Sequence, residues 1–192
     1  TTYSELAENI KSDSDTQGIS KSYDDAIDEA KDKLSSVSNL DKSVLGNDYI
    51  ATKDINSSLY AVQLFSTSQN IANSIDDDSV DELAVIHGIV DTIAKLNEDE
   101  TFSLGSDDSS EGKGISDVIN STVTNSNIDS SSVDSNVFSN IAQFIASINT
   151  EIIQIGSNNA LNGSSFEDAF TDIKKLSVAS NEAIVNTEDS SI

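Results

Sequence analysis

The sequence predicts an all-α fold, an irregular bundle of six to seven amphipathic helices forming a single domain over residues 1–192. Three observations predict it. Apolar residues recur at three- and four-residue spacing through most of the chain, the spacing that gathers them on one face of a helix. Ser/Thr-x-x-Glu capping boxes head such stripes at Thr2/Glu5, Ser79/Glu82 and Ser164/Glu167. Finally, the chain has no Pro, and no run of strict apolar and polar alternation suggests a sheet.

Thr2 is expected to cap a short first helix bearing Tyr3, Leu6, Ala7 and Ile10, with Glu5 reaching back to close the box. Tyr23, Ala26, Ile27, Ala30, Leu34 and Val37 draw a second stripe, with acids and lysines opposite. The pattern fails over residues 39–53, an irregular crossing with a turn at Gly46 and Asn47. From Asp54 a third helix follows Ile55, Leu59, Val62, Leu64 or Phe65, Ile71 and Ile75, and Asp76, Asp77 and Asp78 end it. A fourth runs through Val80, Leu83, Ala84, Ile86, Val90, Ile93 and Leu96, opened by the Ser79/Glu82 box.

Residues 97–114 mix acids, Ser and Gly; they form the longest loop candidate and the place where the domain would subdivide. Ile115, Val118, Ile119 and Val123 make a short fifth helix, interrupted by the polar run at residues 124–132. Val133, Val137, Phe138, Ile141, Phe144, Ile145, Ile148, Ile152 and Ile155 form the most apolar stripe, expected at the centre of the bundle. The segment GSNNALNG, residues 156–163, reads as a turn into a last helix using Phe166, Ala169, Phe170, Ile173, Leu176, Ala179, Ala183 and Ile184.

Charge narrows the partners. Against 34 acidic residues stand 10 basic ones, all Lys, for a net charge of −24. Coulomb repulsion from phosphate backbones and anionic lipid argues against nucleic acid as a partner, and without Arg the planar fork that grips phosphate is missing. The chain has no Cys, which excludes disulfides, thiolate catalysis and Cys-ligated metal. No apolar run is long enough to span a bilayer, so no membrane insertion is expected. The opening TTYSELAENI lacks the regions of a signal peptide and has no Met, and is read as the start of a mature or excised segment. Sequons at Asn56, Asn120 and Asn162 are expected by chance in a chain so rich in Asn and Ser.

One stretch has the spacing of a metal site. In SDSDTQGISKSYD, calcium-loop positions 1, 3, 5, 7 and 12 fall on Asp13, Asp15, Gln17, the Ile19 carbonyl and Asp24, with Gly18 at position 6. Ser20 stands where an aliphatic residue is usual, Asp24 is shorter than the usual bidentate Glu, and no second such loop is present for pairing. The other reading is a plain acidic connector between two helices.

The remaining acids read as structure. Asp107, Asp108 and Glu111 lack ligand spacing, and Asp76, Asp77, Asp78, Asp81 and Glu82 fit a helix N-terminus, where negative charge meets the positive end of the dipole. His87, the single histidine, lies beside Leu83, Ile86 and Gly88 and is read as a core-edge residue, since spacing assigns it no nucleophile. With no catalytic constellation, no enzymatic activity is expected.

The opening TTYSEL, the segment GISKSYDDAIDEA, the acidic connector Asn47-Asp48-Tyr49-Ile50-Ala51 and the helix SLYAVQLFSTSQNIANSI resemble, over about residues 1–150, the helical Asp-rich modules of long secreted bacterial surface and adhesin-type proteins. This chain is rich in Ser and Asn where such modules are mostly rich in Ala. The resemblance implies a non-catalytic extracellular or cell-surface module, a spacer, matrix, surface-layer, filament or adhesive unit. Its partners would be further copies of itself or a surface protein, and its acidity would serve solubility and cation-dependent association, calcium being the candidate ion. The alternative is a helical bundle enclosing an apolar ligand such as a fatty acid, lined by Phe138, Phe144, Phe166 and Phe170.

Overall fold

The computed structural model describes residues 2–38, 40–45, 54–75, 80–97, 100–105, 112–128, 135–161 and 166–188. Within them lie seven helices: α1 (Thr2–Thr16), α2 (Tyr23–Ser38), α3 (Ile55–Ser74), α4 (Glu82–Ala94), α5 (Ile115–Asn125), α6 (Ser135–Leu161) and α7 (Phe166–Glu188). The class is the all-α irregular bundle that the stripes predict. The exception is a minimal parallel pair inside the expected loop, β1 (Thr101–Phe102) with β2 (Gly112–Lys113), in which Thr101 faces Gly112. That loop is anchored by its own apolar residues, since Phe102 and Leu104 are both buried in the core.

Helices α1 and α2 pack as a pair and both lean on α4; α5 lies along α4; α6 runs from α5 to α3; and α7 covers α3 and α6. The most enclosed element is therefore α4 and not α6, the helix expected at the centre. Val85, Ile89, Val90 and Ile93 of α4 are each 0% exposed. The stripe on α4 also sits in a different phase from the one predicted: Leu83 is 58% exposed, while Val85 and Ile89, which the predicted stripe omits, are fully buried. A helix that is apolar nearly all round has no single periodic solution, and its neighbours choose the face. On α5, where Asp117 and Asn120 mark the outer side, Ile115, Val118, Ile119 and Val123 are buried as predicted.

The buried face of α3 is mostly polar: Ser58, Gln63, Ser66, Thr67, Ser68 and Asn70 join Leu59 and Ile71 inside, and Phe65 is 56% exposed. Hydroxyls tolerate burial on a helix because they can donate to a carbonyl of their own preceding turn. Ser58 does so to Asp54 at 2.7 Å, as do Thr92 of α4 to Gly88 and Thr122 of α5 to Val118, both at 2.8 Å. A chain this rich in Ser and Thr can thus bury more side chains than its apolar stripes suggest.

Among the described residues, most of the buried apolar side chains fall into two groups. The larger joins α1, α2, α4 and α5 with Ile71 and Ile75 at the end of α3 and Ala142, Ile145 and Ala146 of α6. The other holds Leu59, Ile152 and Ile173, from α3, α6 and α7.

Helix ends differ in detail from the sequence reading. Asp81, and not Ser79, caps α4, its carboxylate accepting from the Ala84 amide at 2.8 Å; Ser79 lies outside the described residues. Ser22 caps α2: its Oγ accepts from the Asp25 amide at 3.1 Å and donates to the Asp25 carboxylate at 2.7 Å. Asp54 caps α3 and accepts from the Ser57 amide at 3.2 Å. At the head of α5, Asp117 accepts from the Gly114 amide at 3.0 Å. The chain does not turn at Gly156: α6 continues to Leu161, because that buried glycine serves close contact with α3 and not chain reversal. The turn at Gly46 and Asn47, the run Asp76, Asp77 and Asp78, and the capping residue Ser164 lie outside the described residues.

Candidate functional site

The calcium-spaced stretch takes the form of a helix end followed by a helix start. Helix α1 runs to Thr16, so Asp13 and Asp15 stand in its last turn. The Gly18 amide donates to the Asp15 carbonyl at 3.1 Å and the Ile19 amide to the Ser14 carbonyl at 2.8 Å, while Gly18 adopts φ +74°. These are the paired bonds and left-handed residue of a Schellman terminus. Asp15 is paired with Lys11 at 2.8 Å, the Gln17 amide donates to the Asp13 carbonyl, and Asp24 stands exposed in the first turn of α2. Among the described residues, no three His, Asp or Glu side chains come together as a metal-holding group, and Asp13, Asp15 and Asp24 are not gathered around one centre. A glycine with positive φ suits both a helix C-terminus and the sharp turn of a calcium loop, which is why the spacing alone points two ways.

His87 is half exposed, and its Nε2 lies 3.0 Å from Glu5 Oε1, joining α4 to α1. The sequence reading assigns Glu5 to the cap of its own helix and so misses this contact, which depends on how α1 and α4 cross. Of the four phenylalanines expected to line an apolar-ligand site, Phe138 is partly buried against the larger apolar group and Phe144 is 37% exposed. The side chains of Phe166 and Phe170 lie outside what the structure describes.

A cleft of about 290 Å³ lies between α4, the strand pair and α5 and includes Asp91, Lys95, Glu100, Lys113, Asp117 and Ser121. Its two lysines are already paired: Lys95 with Asp91 at 2.7 Å and Lys113 with Asp117 at 3.3 Å. Glu100 accepts from the Asn97 amide at 2.9 Å and from its side chain at 2.8 Å. The cleft offers hydrogen bonds and a small excess of negative charge, three carboxylates against two lysines. No sequence signal groups Lys95 with Lys113, because the strand pair between them brings them to one place.

Two polar side chains are held unusually. The Tyr60 hydroxyl is buried with no hydrogen-bond partner, although part of the residue's surface remains exposed, and desolvation pushes its pKa well above the ordinary phenol value. Asn149 of α6 is 0% exposed and donates from Nδ2 to Thr67 Oγ1 and to the Leu104 carbonyl, each at 2.8 Å, while its Oδ1 has no partner. At the surface, the Ser43 hydroxyl and amide hold the Asp41 carboxyl below its usual range. Among the described residues no helix is long and apolar enough to cross a membrane.

Compared with protein-family models, curated proteins and solved structures, the chain matches none.

Proposed function

We propose that this chain is a non-catalytic helical module of a secreted or cell-surface protein, a spacer or assembly unit whose acidic surface makes its association with further copies, or with a surface partner, depend on cations. The observation that supports this reading most is how the charges are distributed. Six lysines are already engaged with nearby carboxylates: Lys11 with Asp15, Lys21 with Glu29, Lys42 with Asp32, Lys95 with Asp91, Lys113 with Asp117 and Lys175 with Asp172. These six of the ten lysines are spent locally, while Asp13, Asp24, Asp25 and Asp28 on α1 and α2 stand exposed. With a net charge of −24, the surface repels a second copy until cations screen or bridge it.

Gln63, Thr67 and Asn149 bond between helices and not toward a cleft. The resemblance of TTYSEL and GISKSYDDAIDEA to Asp-rich surface modules supports the same reading.

Light scattering and negative-stain microscopy, with calcium, magnesium or sodium at matched ionic strength, test it. Assembly that appears with millimolar divalent cation and reverses with chelator is expected. A monomer under every condition, on surfaces and in solution, would refute the proposal.

A further inference from the structure

Along α6 the isoleucines Ile141, Ile145, Ile148, Ile152 and Ile155 recur in alternating steps of four and three. A stripe with a seven-residue repeat presents the same side chains to its partner after a slide of two turns, so it does not by itself choose how α6 aligns with α3. A second row on the same helix does not repeat. Ala142, Asn149 and Gly156 also stand seven apart, all are buried, and each differs from the others in size and polarity.

Two of these residues meet partners on α3 that only one alignment supplies. Gly156 receives the Leu59 side chain so closely that a Cβ at residue 156 would lie 2.7 Å from Leu59 Cδ1. Two turns further along α3, the Asn149 amide reaches Thr67 Oγ1 at 2.8 Å while its other proton goes to the Leu104 carbonyl at 2.8 Å. Gln63 Nε2 adds a bond to the Asn149 backbone carbonyl at 3.1 Å. Because both amide protons are committed, the orientation of the Asn149 side chain is fixed.

We propose that the row Ala142, Asn149 and Gly156 sets the register of the α3–α6 pair, the isoleucines supplying burial without alignment. A slide of seven residues one way brings Asn149 against the Leu59 methyl groups with its amide unpaired. The opposite slide brings Gly156 to Thr67 and takes the donor from the Leu104 carbonyl. Each leaves a buried polar group without a partner, which an all-isoleucine contact would never penalise.

The native absence of Cys makes the test direct. Spin labels at Asn56→Cys and Asn140→Cys, on exposed positions of α3 and α6, report the alignment as an interspin distance by pulsed electron paramagnetic resonance. A slide of seven helical residues is about 10 Å along the axis. The labelled parent should give one narrow peak, and so should Thr150→Ala, which alters an exposed neighbour. Asn149→Ala should add a second peak displaced by up to about 10 Å. Asn149→Ala with Gly156→Ala, which makes the row uniform, should enlarge it. A single unmoved peak in the folded Asn149→Ala protein overturns the proposal. So does its failure to fold in any alignment, since the amide would then serve stability and not register. If the double variant does not fold, the single variant decides.

Discussion

Gly88 of α4 lies against Thr122 of α5 so closely that a methyl group added at residue 88 would sit 3.1 Å from the Thr122 backbone nitrogen and 3.1 Å from the Val118 carbonyl oxygen. Both atoms belong to the α5 backbone and cannot swing aside. Gly88→Ala gains about 1 kcal/mol of helix propensity. Overpacking against a rigid neighbour costs about 1–3 kcal/mol and more where backbone must shift. A net loss of about 1–2 kcal/mol is expected in urea unfolding. Gly156→Ala should cost less, because its nearest atoms are Leu59 methyl carbons on a side chain that can give.

Lys33 of α2 closes the C-terminus of α4, donating from Nζ to the Ala94 and Leu96 carbonyls at 3.1 Å each. The ammonium satisfies carbonyls left over at the helix end and meets the negative end of its dipole. Lys33→Met keeps the aliphatic stem and removes the charge, and is expected to lower stability by about 1–2 kcal/mol. An unfolding midpoint equal to wild type would show that water replaces the cap without loss.

Adjacent residues on α6 should behave in opposite ways. Ile145 is fully buried, and Ile145→Ala is expected to cost about 2–5 kcal/mol. Phe144 is 37% exposed, so Phe144→Ala should cost clearly less than the same change at Ile145 despite the larger side chain. Chemical denaturation of the two variants checks the order.

These cases show what was legible in the sequence. The existence and order of the helices followed from periodicity, and so did the inner face of α5, where polar residues bound a narrow apolar stripe. The phase of α4 did not, because Leu83 and Val85 are both apolar and only the packing of neighbouring helices, α1, α3 and α5 among them, distinguishes them. Nor did the inner face of α3, where buried Ser66, Thr67 and Asn70 read as a solvent face. Gly18, Gly88 and Gly156 are one residue type with separate tasks, a helix terminus and two close helix contacts, and only the last two depend on partners distant in sequence. The bond between Asn149 and Thr67 is of the same kind: two ordinary polar residues that acquire a role when two helices meet.

Tyr60 gives a pH dependence with a definite sign. Burial raises its folded-state pKa above the unfolded value near 10, so below about pH 10 both states hold the proton and the hydroxyl adds no slope. Above that pH the unfolded chain ionises while the folded one does not. The stability contribution is therefore lost as pH rises, by up to about 1.4 kcal/mol per unit. Tyr60→Phe should flatten the wild-type decline between pH 10 and 12. At neutral pH the variant should be at least as stable as wild type, because it removes a buried hydroxyl with no partner. Parallel declines in the two proteins would place the slope elsewhere.

The net charge of −24 sets the last expectation. Folding brings carboxylates together that the unfolded chain keeps apart, and the repulsion opposes the compact state. The Debye length falls from about 30 Å at 0.01 M salt to about 8 Å at 0.15 M, so the melting temperature should climb across that interval and then flatten. Calcium should produce the same rise at lower concentration by bridging neighbouring acids. How that rise responds to mutation follows from the end of α1. Asp13 and Asp15 stand in the last turn of a helix, Asp15 already paired with Lys11, and the two are not gathered with Asp24 around one centre. A response spread over many acids loses little when one is removed, so Asp13→Ala should melt with nearly the calcium dependence of wild type. A single saturable calcium site in titration calorimetry, abolished by Asp13→Ala, would instead show that calcium unwinds the last turn of α1 into the loop that the spacing of Asp13, Asp15, Gln17, Ile19 and Asp24 suggests.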